Sequence, residues 1–186
     1  FDKDSSTPLW NYTTGGAVRS VAISANGEYI AVGSDDDSIY FFDKDSDTYL
    51  WNYSTGADVR TVAISADGEY IAAGSMIDGK EVYLFDKDSS TPLWNYTIVS
   101  GSAVNSVSIS ADGKYIAAGT SYTVYLFDKD SSTPLWSYAT GGTVYSVSIS
   151  ADGEYITAGS ASLEPKVYFF DKDSSTPLWN YTTGNY

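Results

Sequence analysis

The chain has 186 residues, enough for one substantial core and too few for two ordinary domains. Asp and Glu number 24 against 10 Lys and Arg, a net charge of −14, so nucleic acid and anionic membrane headgroups are not expected partners. There is no Cys for a disulfide or a thiolate metal site, and no apolar run reaches the roughly 18 residues of a membrane helix, so no membrane insertion is expected.

Seventeen Tyr, seven Phe, five Trp and sixteen Gly favour strands and tight turns over helices. The chain begins at Phe1 rather than Met, as a processed or excised polypeptide would. Its first segment, FDKDSSTPLWNYTTG (Phe1–Gly15), ends in a short aromatic strand at Leu9–Tyr12 and recurs at Phe170–Gly184. The first full unit then supplies four predicted strands: a at Val18–Ser24, b at Glu28–Ser34, c at Ile39–Asp43 and d at Tyr49–Tyr53. Strands a and b are joined by Ala-Asn-Gly here and by Ala-Asp-Gly in the later units, dipeptides that tolerate the positive φ of a tight turn.

Three further units follow in the same order. Trp10, Trp51, Trp94, Trp136 and Trp179 are 41, 43, 42 and 43 residues apart, the period of a four-stranded propeller blade. The predicted fold is therefore all-β: a β-propeller, or an arc of one, with four four-stranded antiparallel blades plus an extra N-terminal outer strand. It forms one domain over 1–186. Residues 1–15 are the outer strand of an adjoining blade, and 16–56, 57–97, 98–140 and 141–186 are the four blades. Strand d occurs five times and strands a, b and c four times. Each strand c already has a local strand d one short hairpin away, so Leu9–Tyr12 is expected to seek an upstream blade or a second copy rather than close onto Val167–Asp171.

The run VRSVAISANGEYIAVGSDDDSIYFFD resembles a WD-repeat blade, and TPLWNYTTGGAV resembles the tryptophan-docking repeat of quinoprotein-type propellers. The closing Trp-Asp of the WD pattern is Phe42-Asp43 here, and the chain has no His. The vicinal Cys pair of quinoprotein enzymes is also missing, so their cofactor chemistry does not carry over. The whole resembles repeat propellers of prokaryotic, particularly archaeal, surface proteins.

The five equivalent tryptophans read as packing residues, because none differs from the others as a ligand-stacking residue would. Asp2, Asp4, Asp43, Asp45 and Asp47 of the DKDSST connections place oxygens as the start of a calcium loop does. They lack that loop's Gly and distal Glu, which favours turn capping and no cofactor. Asn11, Asn52, Asn95 and Asn180 head Asn-Tyr-Thr/Ser sequons, the expected glycosylation sites of an exported protein.

The a–b and c–d turns are nearly constant, whereas the b–c and d–a loops, which share one rim, diverge. That rim is the expected binding face for a protein or glycan, with Asp36, Met76, Lys80, Tyr122 and Lys166 from the b–c loops. Arg19, Arg60, Asn105 and Tyr145, at the start of strand a, stand near the channel mouth on the same rim. No catalytic triad, acid pair or phosphate loop can be assembled, so the expectation is a non-enzymatic scaffold of an extracellular or cell-surface protein, used for adhesion, envelope structure or protein binding. The alternative is a ligand-sensing or accessory propeller of a larger protein. Further blades of the same protein, or a homo-oligomer, are the expected partners at the ends.

Overall fold

The computed structural model describes residues 4–76, 79–99, 103–161 and 165–184. These form no helix and four antiparallel sheets, each with its strands in chain order. The first sheet is β1 (Val18–Ile23), β2 (Tyr29–Ser34), β3 (Ser38–Asp43) and β4 (Tyr49–Ser54). The second is β5 (Val59–Ile64), β6 (Tyr70–Ser75), β7 (Glu81–Asp86) and β8 (Trp94–Thr97). The third is β9 (Val104–Ile109), β10 (Tyr115–Thr120), β11 (Thr123–Asp128) and β12 (Trp136–Ala139). The fourth is β13 (Thr143–Ile149), β14 (Tyr155–Ala161), β15 (Lys166–Asp171) and β16 (Trp179–Thr182). The fold is a β-propeller built of these blades, as the repeat predicts.

Each a–b turn closes around one serine, buried in the first three blades. Ser24 Oγ donates to Asn26 Oδ1 (2.6 Å) and accepts from Tyr29 N–H (3.0 Å), and Gly27 takes φ 73°. Ser65 with Asp67, Ser110 with Asp112 and Ser150 with Asp152 repeat the arrangement. The Ser hydroxyl lowers the Asp112 and Asp152 carboxyls below the ordinary range by hydrogen-bonding their charged forms.

The core lies between blades as three apolar layers. One joins Ala31 and Phe41 of the first blade to Val59, Val62 and Phe85 of the second, and the next two repeat it. Four devices hold consecutive blades together. A glycine of strand b leaves no room for a side chain: a Cβ on Gly33 would lie 2.8 Å from Val59 Cγ1, and Gly74 and Gly119 face Val104 and Val144 in the same way. A strand-a hydroxyl accepts the next blade's N–H, from Ser20 to Val62, Thr61 to Val107 and Ser106 to Val147, each at 3.1 Å. The turns chain together through Ala25 N–H to Ala66 O, Ala66 N–H to Ala111 O and Ala111 N–H to Ala151 O.

The fourth device is the strand-d tryptophan. Trp51 stacks on Phe41 of its own blade (5.1 Å between centroids) and lies against Phe85 of the next (5.3 Å). Its indole N–H donates to Lys87 O at 2.7 Å. Trp94 and Trp136 do the same with Lys129 and Lys172.

Residues 4–16 form no strand. Trp10 nevertheless stacks on Phe42 (5.6 Å) and donates to Lys44 O (2.6 Å), the place a preceding blade's tryptophan would take. Tyr12 packs on Tyr40 and Phe42. Asp36 anchors the end of the segment, accepting from Gly15 N–H (2.6 Å) and Tyr40 O–H (2.8 Å). Strand β15 keeps its local partner β16, in register from Lys166↔Thr182 to Phe169↔Trp179, so Leu9–Tyr12 is not paired to it.

Trp51 is 9% exposed and Trp179 50%, since among the described residues no further blade packs on β16. Trp51→Ala is expected to cost about 3–5 kcal/mol, as emptying a buried aromatic site does, and Trp179→Ala in the single chain less than about 1 kcal/mol. Urea titration of the two variants measures the contrast.

Candidate functional site

The b–c and d–a loops do meet on one rim. Asp35 N–H donates to Ala17 O and Met76 N–H to Asp58 O, both at 2.9 Å, while Thr55, Ile98 and Thr140 donate to the carbonyls of Asp37, Lys80 and Tyr122. Within this frame strand a carries a β-bulge in every blade. Pairing skips Arg19 between Val18↔Ser34 and Ser20↔Gly33, Arg60 between Val59↔Ser75 and Thr61↔Gly74, and likewise Asn105 and Tyr145. An extra unpaired residue bends the strand and re-aims its side chain. Here the four bulged side chains, one per blade, converge with Met76 on a cavity of about 400 Å³.

The sequence placed these four residues near one another; it did not reveal that each is a bulge. Two valines flanking one variable position (Val-x-Ser/Thr-Val) is the signal that could have done so, since strict alternation would turn the second valine to the wrong face.

Charge in the cavity is unevenly paired. Arg19 Nε donates to both oxygens of Asp35, at 2.7 and 2.8 Å, and its Nη2 donates to Asp35 Oδ2 as well. That hydrogen bonding raises the Arg19 pKa and holds the Asp35 carboxyl below its ordinary value. Arg60 is exposed and has neither ion pair nor hydrogen bond among the described residues. Asn105 Nδ2 donates to Val144 O at 3.0 Å, which fixes the amide at the wall, and Tyr145 presents an exposed phenol. One free guanidinium beside an amide, a phenol and a thioether suits a ligand with a carboxylate and an apolar part.

The other candidates on the rim lie outside this cavity. Asp36 turns inward to hold Gly15. Burial would raise its carboxyl pKa, but hydrogen bonds from Tyr40, Gly15 and Ser34 bring it below the ordinary value. Burial and the Asp36 hydrogen bond push the Tyr40 phenol up to about 12. Lys80 takes φ 51° and both its backbone groups bond within the loops, Lys80 N–H to Met76 O and Ile98 N–H to Lys80 O. Tyr122 is exposed, its carbonyl capping Thr140, and Lys166 opens β15.

The DKDSST carboxylates belong to their turns. Asp43 Oδ1 accepts from Asp45 N–H at 2.8 Å, and Asp86, Asp128 and Asp171 repeat the bond. Asp45 pairs with Lys44 at 2.5 Å, Asp4 and Asp47 are exposed, and Asp2 lies outside the described residues. Among the described residues no three His, Cys, Asp or Glu are grouped as a metal ion needs. The described residues that line the cavity, Arg19, Arg60, Met76, Asn105 and Tyr145, include no carboxylate of the kind a calcium-bound quinone cofactor needs.

Asn11, Asn52, Asn95 and Asn180 are all exposed on the outer edge. Only at Asn95 is the sequon held: Asn95 Nδ2 and Thr97 Oγ1 both donate to Glu81 Oε1 at 2.9 Å, and Glu81 also accepts from Tyr83 O–H. When a glycosyltransferase acts on the folded chain, occupancy at Asn52 and Asn180 is expected to exceed that at Asn95, and Glu81→Ala to raise Asn95 toward the others. Glycopeptide mass spectrometry reads the ratio.

The family model described as outer membrane protein assembly factor BamB, of the quinoprotein repeat type, matches residues 1–181. No curated protein matches. Among solved structures, hydrazine synthase of Kuenenia stuttgartiensis is similar in fold, with a TM-score of 0.77 at 17% identity over 98% of this chain. The chain spans about half of that one, 53% of its length.

Proposed function

We propose, from the premise that the chain belongs to the BamB-type quinoprotein-repeat family, that it is a non-enzymatic propeller scaffold of the cell envelope or exterior that binds protein at the channel mouth. One observation carries the reading. Arg19, Arg60, Met76, Asn105 and Tyr145, which line the cavity, stand at positions that differ between otherwise repeated blades.

Function by loop variation on a fixed frame leaves that pattern, with the frame repeated and the contact residues individual. Arg60 supplies the local attraction that a carboxylate-bearing segment needs against the net charge of −14, and Tyr145 and Met76 supply apolar surface. The preferred partner is accordingly a protein segment with an acidic side chain next to an apolar one.

A photo-crosslinking residue at Arg60 tests the reading against one at Asp67, on the opposite rim. Crosslinks to a single envelope protein from position 60 and none from 67 are expected, with Arg60→Glu weakening that binding at least about tenfold, as loss and reversal of a charge contact does. Equal labelling from both rims would contradict it.

A further inference from the structure

We propose that the two ends of the arc are mating surfaces, and that a second copy of this chain covers both to give a closed ring of eight blades. Each device that makes the three blade junctions inside the chain is left half-complete at its ends. At the downstream end a Cβ on Gly159 would meet nothing within 4 Å, whereas Gly33, Gly74 and Gly119 are filled by valines of the next blade. At the upstream end the corresponding valines stand in water: Val21 is 68% exposed where its equivalent Val62 is 6% exposed, and Val18 and Ile23 are exposed too.

The turn tells the same story. The rings of Tyr29, Tyr70 and Tyr115 pack against Gly68, Gly113 and Gly153 of the following blade. Tyr155, the last of the series, is exposed, already stacked on Phe169 (5.3 Å). Gly27, the first of the glycines, has nothing within 4 Å, and with Ile23 and Ile30 it borders a hollow that Leu9 and Trp10 cover from the other side. With those two residues displaced, Tyr155 of a second copy takes the place beside Gly27 that Tyr29 takes beside Gly68. Exposed Ser146 would then accept from Val21 N–H, and Ala151 N–H would donate to Ala25 O, continuing the two series of hydrogen bonds.

These apolar and polar features recur in the same register, so the occupant is another blade of this sequence rather than an unrelated protein. Head-to-tail docking closes only when the rotation allows. Two four-blade arcs make eight, within the usual range of propellers, and leave no open end.

Residues 4–16 bear on the junction. Trp10 occupies the place over Phe42 and Lys44 O that Trp179 of the second copy would take. Phe1–Gly15 and Phe170–Gly184 are the same sequence, so the side chains offered are equal, but β16 is also paired to β15 and residues 4–16 are paired to no strand. The N-terminal segment therefore gives way.

Light scattering and sedimentation of the purified chain test this. The expected mass is twice the 20.1 kDa of one chain. Gly159→Ile, whose Cβ meets nothing within 4 Å inside a single chain, should return the mass to that of one chain with an unchanged circular dichroism spectrum, and Trp10→Ala should tighten the dimer. A chain that stays single at all concentrations, a ladder of ever larger species, or a dimer indifferent to Gly159→Ile would overturn the proposal.

Discussion

The whole structure depends on one repeated contact, the strand-d tryptophan held between a strand-c side chain of its own blade (Phe41, Leu84 or Leu126) and the strand-c phenylalanine of the next. A four-stranded sheet of this size cannot bury both faces alone, and here the apolar layers lie between blades rather than within them. The indole contributes a large apolar area and a donor, and the donor is met by a lysine carbonyl each time. That pairing of area with a hydrogen bond fixes how one blade sits on the next. The glycine–valine fit, the serine hydroxyls and the alanine turns then follow at the same spacing.

The same contact explains the ends. Trp10 arrives without its blade and still finds Phe42 and Lys44 O, because the receiving surface belongs to the first blade. Trp179 has its own Phe169 but no second partner, and stays half exposed. Fixing the frame in this way also frees the bulged residue of each strand a. Arg19, Arg60, Asn105 and Tyr145 stand at unpaired bulge positions facing the cavity, so the side chain there can differ from blade to blade, even though Asn105 also bonds Val144 O of the next blade.

Much of this was legible in the sequence. The 41–43 residue spacing of the tryptophans predicted the blades, and the predicted strands differ from those observed by one residue at most ends, as with Val18–Ser24 against Val18–Ile23. The meeting of Arg19, Arg60, Asn105 and Tyr145 at the channel mouth followed from strand direction. The inward turn of Asp36 was not legible, because nothing local marks a carboxylate that bonds a glycine 21 positions earlier. Leu9–Tyr12 reads as a strand by composition yet forms none, since a strand needs a partner edge and each strand c among the described residues already carries its own strand d. The individual role of Met76 depended on which loop residues reach the cavity, which pattern alone does not encode.

The central claim is that each tryptophan is held by the blade after its own. Hydrogen exchange of the five indole N–H groups, followed by NMR in the Gly159→Ile chain, tests it most directly. The account predicts slow exchange at Trp10, Trp51, Trp94 and Trp136, whose indoles donate across a junction, and fast exchange at Trp179. Equal protection of all five, or fast exchange at Trp51 and Trp94, would contradict it.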